Sequence, residues 1–140
     1  MTVKVFLSCS VRDRHRVERL RHALELYNVV TLPQAGMLTP GTRDWIATYE
    51  NSIAQSCCVL VCLSPNTMLS HWVQLGLDWA RACGKPILPI LIDGKPDHIL
   101  LAALEGDDWF DIRWSKHYRA EIEALVALIG QHARIAAKEL

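Results

Sequence analysis

Near the middle of the chain, Cys57 to Leu63 reads Cys-Cys-Val-Leu-Val-Cys-Leu, an almost uninterrupted apolar run of strand length. A strand with one wet face alternates polar and apolar residues. One that is apolar throughout must be covered on both faces, as at the centre of a parallel sheet flanked by helices. The rest of the chain supplies the partners. Val3 to Ser8 reads as a first strand and Val29 to Leu32 as a second, with Ile87 to Ile92 a fourth and Trp109 to Ile112 a short fifth at the edge. Between them the apolar period lengthens to three and four. Arg12 to Tyr27 places Val17, Leu20, Leu24 and Tyr27 on one helical face, Trp45, Tyr49 and Ile53 carry a second helix, and Ser70 to about Cys83 forms a third. Tyr118 to Ala137 closes the chain with Ile122, Leu125, Val126 and Ile129 inward. Strands alternating with crossover helices predict an α/β fold, a flavodoxin-like three-layer sandwich on a five-stranded parallel sheet of order 2-1-3-4-5. Pro89 sits awkwardly within the fourth strand, because it brings no backbone N–H to a ladder.

The 140 residues, half of them hydrophobic, suit one domain spanning 1–140. Formal charge is zero, so no global attraction draws the chain to nucleic acid or an anionic membrane, and no run is long enough to span a bilayer. The start of the chain lacks the pattern of a secretory signal. Five cysteines, an odd number placed mostly in apolar strands, suit free thiols in a reducing compartment, and a cytoplasmic location is expected. Cys57, Cys58 and Cys62 should alternate in direction along one strand and lack paired zinc-ligand spacing. The six histidines are scattered, and no metal site is expected.

Four segments, taken together and in order, carry a family resemblance. They are Val5-Phe6-Leu7-Ser8-Cys9-Ser10 followed by Asp13, Leu38-Thr39-Pro40-Gly41 with Trp45, the strand end Leu63-Ser64-Pro65-Asn66, and Ser70-x-Trp72. Over residues 3 to about 112 the chain resembles the Toll/interleukin-1 receptor (TIR) domains, and Gly84-Lys85-Pro86-Ile87-Leu88-Pro89-Ile90 resembles their fourth strand. The resemblance implies a module of innate immunity, antiphage defence or related signal transduction. Such modules work either as adaptors or as enzymes that cleave NAD at its nicotinamide glycosidic bond, and both kinds act through assembly. The implied partners are NAD or an NAD-like nucleotide as substrate, with no cofactor, other TIR domains in a homo-oligomer or filament, and a sensor domain or partner chain. The loop Pro33 to Arg43 resembles the family's BB loop, which gates the pocket and contacts a neighbouring protomer.

In the enzymatic members the third helix resembles Ser-x-Trp-x-x-x-Glu, whose glutamate faces the nicotinamide ribose. A carboxylate there suits the oxocarbenium character of the breaking bond. Counting from Trp72, that position is Gly76. Asp78 is no substitute, since two residues along a helix is about 200° of rotation. Asp13 and Asp44 lie near helix N-termini, where the dipole alone favours acids, and Glu50 is a third alternative carboxylate. Three explanations of Gly76 stand side by side: an engineered inactivating substitution, a natural loss of catalysis in an interaction domain, and a small residue required for close packing. Retention of Trp72, Asp78 and Ala80 favours loss of the carboxylate, and NAD hydrolysis is expected to be absent or strongly impaired.

The resemblance makes Ser8, Cys9, Ser10, Leu38, Arg43, Trp45 and Trp72 the candidate substrate-binding residues beside Gly76. Each has a plainer reading. Ser8 to Ser10 suit polar capping at a strand end, Trp45 and Trp72 suit a core, and Arg43 suits a solvated surface. Cys9 has no histidine partner at a telling spacing, which argues against a cysteine hydrolase. A receiver or flavin protein is disfavoured because the first strand lacks an acidic pair and no phosphate loop appears. Arg12, Arg16 and Arg19 share one side of the first helix and form a candidate electrostatic docking surface.

Overall fold

A computed structural model describes residues 2–32, 45–67, 70–95, 109–113 and 116–138. The chain runs β1 (Val3–Ser8), a 3-10 turn (Val11–Asp13), α1 (Arg14–Glu25), β2 (Val29–Leu32), α2 (Trp45–Gln55), β3 (Cys58–Leu63), α3 (His71–Ala82), β4 (Ile87–Leu91), β5 (Phe110–Asp111) and α4 (Tyr118–Lys138). All strands are parallel, in the order β2-β1-β3-β4-β5, as the alternation of periods predicts.

β3 is buried along its whole length, and its alternating side chains feed two cores. On one face Cys58, Leu60 and Cys62 join Val5, Leu7 and Ile90 beneath Leu20 and Leu24 of α1 and Leu125 and Ile129 of α4. On the other, Val59, Val61 and Leu63 join Phe6 and Leu91 beneath Tyr49 and Ile53 of α2 and Val73, Leu77 and Ala80 of α3. Helices therefore cover both faces, giving the three layers.

The sequence explains where the helices stop and start. Asn28, at φ 61°, takes the left-handed conformation that ends α1, and Gly84, at φ 66°, does the same after α3. Ser70 caps α3 by accepting the Val73 N–H at 3.3 Å. Three expectations need adjustment. The first helix is shorter than 12–27, because Ser10 caps a 3-10 turn before α1 begins. Tyr27 does not enter the core: it is 40% exposed and its hydroxyl donates to Glu123. β5 is only two residues long.

Pro89 is accommodated by register. Val59 N–H donates to the Pro86 carbonyl and Ile92 N–H to the Leu63 carbonyl, so the even-numbered positions of β4 bond to β3. The odd-numbered positions face β5, as Ile112 N–H donating to the Leu91 carbonyl confirms. Pairing with β5 starts only at Ile90 and Phe110. The missing N–H of Pro89 thus points past the start of a short edge strand, and β3 loses no bond.

Candidate functional site

The carboxyl ends of β1 and β3 meet the first turns of α3, and here the structure gathers part of the expected site. Phe6 and Ser8 lie two residues apart on β1 and share the face covered by α2 and α3. Gly76 is buried on the inner side of α3. A Cβ at Gly76 would stand 2.5 Å from the Tyr49 hydroxyl, 3.5 Å from its Cζ and 3.5 Å from Ser8 Oγ. Of the three explanations of Gly76, close packing therefore has a direct structural counterpart, although Trp72, Asp78 and Ala80 had favoured lost chemistry.

Tyr49 is held firmly. It is 3% exposed, and its hydroxyl donates to the Trp72 carbonyl at 2.7 Å. Its ring meets Phe6 edge-on at 4.9 Å and lies tilted against Trp79 at 5.0 Å and Trp72 at 6.0 Å. Burial raises its phenol well above the ordinary range, and Cys9 adds to this. From sequence Tyr49 reads only as a core residue of the second helix. Its role depends on a tertiary contact between α2 and α3 that no local spacing encodes.

The three strand-end residues divide their roles. Ser10 is a cap, accepting the Arg12 N–H at 3.3 Å. Cys9 packs against the α1 and α4 core, where burial first and Asp13 second push its thiol up to about 11. A thiol so protonated at neutral pH is a poor nucleophile, in keeping with the case against a cysteine hydrolase. Ser8 Oγ is 3% exposed in its residue and has no hydrogen-bond partner among the described residues. Trp72 is half-buried, packed against the α2 and α3 core. Leu38, Arg43 and the BB-like loop lie outside the described residues, and Trp45 opens α2 with its side chain outside them.

The alternative carboxylates do not reach this spot. Asp78 is exposed and pairs with Arg81 at 3.9 Å, as the helical rotation predicts, and Glu50 is exposed. Asp44 lies outside the described residues. Asp13 is buried at 1% exposure, but its oxygens are committed. Ser64 Oγ donates to Oδ2, and Asn66 Nδ2 donates to Oδ1 at 3.0 Å. Ser64 Oγ also accepts the Asn66 N–H at 3.0 Å, while Thr67 Oγ1 accepts the Ser64 N–H at 2.8 Å and donates to the Cys62 carbonyl at 2.9 Å. Asp13 makes no side-chain cap hydrogen bond to α1. It ties the β1 turn to the loop after β3, a structural role that differs from the dipole effect expected.

A second clasp lies beyond β4. Arg113 Nε and Nη2 donate to the two oxygens of Asp111 at 2.9 and 2.7 Å, and Nη1 donates to the Gly94 carbonyl at 2.6 Å. This hydrogen bonding holds the Asp111 carboxyl below its usual range. Of the candidate docking surface Arg12, Arg16 and Arg19, two members are engaged within the chain: Arg16 pairs with Asp93 at 3.5 Å, and the Arg19 guanidinium lies 4.1 Å from the Tyr118 ring centre. Among the described residues no three or more histidine, cysteine or acidic side chains cluster as for a metal. No described helix is long and apolar enough to cross a membrane.

A doubly wound parallel sheet with its polar clasps and glycine-bearing third helix at the carboxyl ends defines the class as flavodoxin-like α/β. The family model described as TIR domain matches residues 5–126, and the chain belongs to the TIR domain family. Similar solved structures include the TIR domain of a Toll-related receptor, TRR-2, from Hydra magnipapillata, at 20% identity and TM-score 0.71 over 89% of this chain and 96% of that one. A CMP N-glycosidase, BcmB, from Clostridium botulinum is similar at 19% identity and TM-score 0.58, over 87% and 97%. The TIR domains of the activated Roq1 resistosome, which directly recognises the pathogen effector XopQ, are similar at 18% identity and TM-score 0.59, over 92% and 98%. No curated protein matches the chain. At these identities the structural likeness concerns the fold.

Proposed function

We propose that this chain is a TIR domain of innate-immune or antiphage type, of NAD-glycohydrolase ancestry, that does not turn NAD over and acts through homotypic contacts with other TIR domains. One observation carries the reading. Where the family's glutamate is expected there is a buried glycine, and the Tyr49 hydroxyl fills the space into which a side chain would grow. N-glycosidic cleavage builds positive charge on the ribose, and a nearby carboxylate is the usual means of stabilising it. Among the described residues no carboxylate takes that place, since Asp13 is bound to Ser64 and Asn66. The Roq1 neighbour, whose TIR domains sit in a resistosome, supports assembly as the working state. Five free thiols suit the reducing cytoplasm.

A second reading, retained nucleotide binding without turnover, is favoured by Ser8. Its buried hydroxyl has no hydrogen-bond partner among the described residues, which is costly, and a ligand hydroxyl would satisfy it. The Clostridium neighbour, a CMP N-glycosidase, supports a nucleotide as the kind of ligand.

The test is nicotinamide release from NAD at high protein concentration, with light scattering to follow assembly. The native chain should assemble and release none. Gly76→Glu alone must displace Tyr49, so the informative variant is Gly76→Glu with Tyr49→Phe, which should release nicotinamide. Turnover by the native chain overturns the proposal. Silence of both variants in the assembled state removes the enzymatic ancestry and leaves an adaptor.

A further inference from the structure

Cys57 and Cys58 stand at the amino end of β3, across the sheet from Ser8 and Gly76. Sequence alternation predicts Cys57 on one face of the strand and Cys58 and Cys62 on the other. Cys58 and Cys62 accordingly share the core beneath α1 and α4, but Cys57, just before the strand, departs from the alternation and packs against that same core. The Sγ atoms of Cys57 and Cys58 are 3.9 Å apart, and Cys57 Sγ is 4.0 Å from the Ile129 carbonyl of α4. Cys58 is fully buried, whereas Cys57 is partly open to solvent.

This spacing discriminates between ways of joining the two sulfurs. Adjacent Cα atoms are about 3.8 Å apart, closer than the roughly 4.4–6.8 Å that ordinary disulfides span, so a direct S–S bond would distort the strand. A soft atom bound at about 2.3 Å to each sulfur, the length of a zinc–thiolate bond, would subtend roughly 115° at the existing separation. Four-coordinate zinc is not served, because no third ligand of the histidine, cysteine or acidic kind joins the pair among the described residues. A trivalent arsenic centre needs no more than two thiolates when it keeps one organic substituent.

We propose that Cys57 and Cys58 form a vicinal dithiol site for trivalent organoarsenicals. The exchange is R–As(OH)2 + 2 Cys–SH → R–As(S–Cys)2 + 2 H2O. Two As–S bonds replace two As–O bonds, each thiol proton leaves in water, and arsenic stays trivalent. Cys57 reacts first, being the more open. Its thiol is held below its ordinary range by the hydrogen bond shared with Cys58, assisted by the charge of Lys85. Lys85 Nζ is itself anchored on the Ala54 carbonyl at 3.1 Å. Cys58, raised by the same hydrogen bond and by burial, closes the ring second.

The probe is phenylarsonous acid, added to the folded chain and read by native mass spectrometry. One phenylarsenic per chain is expected, retained in excess monothiol and released by a dithiol. Cys57→Ser should lose the adduct with its near-UV circular dichroism unchanged, while Cys83→Ser, which removes the exposed thiol, should keep it. Three results overturn the proposal: an adduct that survives Cys57→Ser, an adduct released by monothiol, or a folded chain that takes up none while the denatured chain does.

Discussion

A methyl group at position 76 would press on the Tyr49 hydroxyl at 2.5 Å, yet on the ring carbon behind it at an ordinary 3.5 Å. The obstacle is therefore one oxygen atom, and its removal should reverse the sign of a substitution. Alanine is favoured over glycine inside a helix by about 1 kcal/mol, while forcing atoms into a packed core costs about 1–3 kcal/mol. In the native background Gly76→Ala should cost up to about 2 kcal/mol. Tyr49→Phe alone should cost about 1 kcal/mol, for its bond to the Trp72 carbonyl. In the Tyr49→Phe background, Gly76→Ala should stabilise. Urea denaturation of the four proteins in the cycle checks this, and equal effects of Gly76→Ala in both backgrounds would remove the packing account of the glycine. That a glycine stands four residues after Trp72 is legible in the sequence. Tyr49 is not legible as its partner, because the contact joins two helices that only the tertiary fold brings together.

At the scale of elements, periodicity carried most of the information. The continuous apolar run of β3 and the three-and-four spacing of α1, α3 and α4 are each local signals, and each corresponds to an observed element. The departures are at boundaries, where local and tertiary forces compete. Tyr27 continues the apolar spacing of α1, but the helix ends at Glu25 and Asn28 turns the chain, so Tyr27 stays outside the core that Val17, Leu20 and Leu24 fill. Asp13 is a similar case. Its position near a helix start suggests a dipole effect, whereas its buried carboxylate joins two loops through Ser64 and Asn66. Removing it leaves two donors without their acceptor, each of which is worth about 1–3 kcal/mol when buried. Asp13→Ala should therefore lower stability by several kcal/mol in denaturant, far more than the few tenths expected of an exposed acid such as Asp78. Asp13→Asn, which keeps the shape and one acceptor oxygen, should lose less. An Asp13→Ala chain as stable as the native one would show that the clasp does not hold the loops.

For the whole molecule, the buried acids set how stability follows pH. Cys9, Tyr49, Cys58 and Cys62 are each raised, and burial contributes to every one. A group raised on folding binds its proton more tightly in the native state. Its contribution is complete below the ordinary range of the group and is lost as pH rises through the native value, about 11 for Cys9. The four act with one sign, so thermal stability should fall steeply at alkaline pH. Cys57 is lowered and opposes them, and so does Asp111, lowered by Arg113, whose contribution is present at neutral pH and fades only as pH falls through its depressed value. Asp111 is partly solvated, so its share is small. Melting temperatures from acid to alkaline pH should thus show a shallow acid limb beside a steep alkaline one. Tyr49→Phe and Cys9→Ser should each flatten the alkaline limb, because a residue that cannot ionise there no longer prefers the unfolded chain. An alkaline limb unchanged in both variants would mean that neither group is held neutral by the fold. In that event the packing of Tyr49 against Phe6, Trp72 and Trp79 would have to admit more water than the ring distances imply.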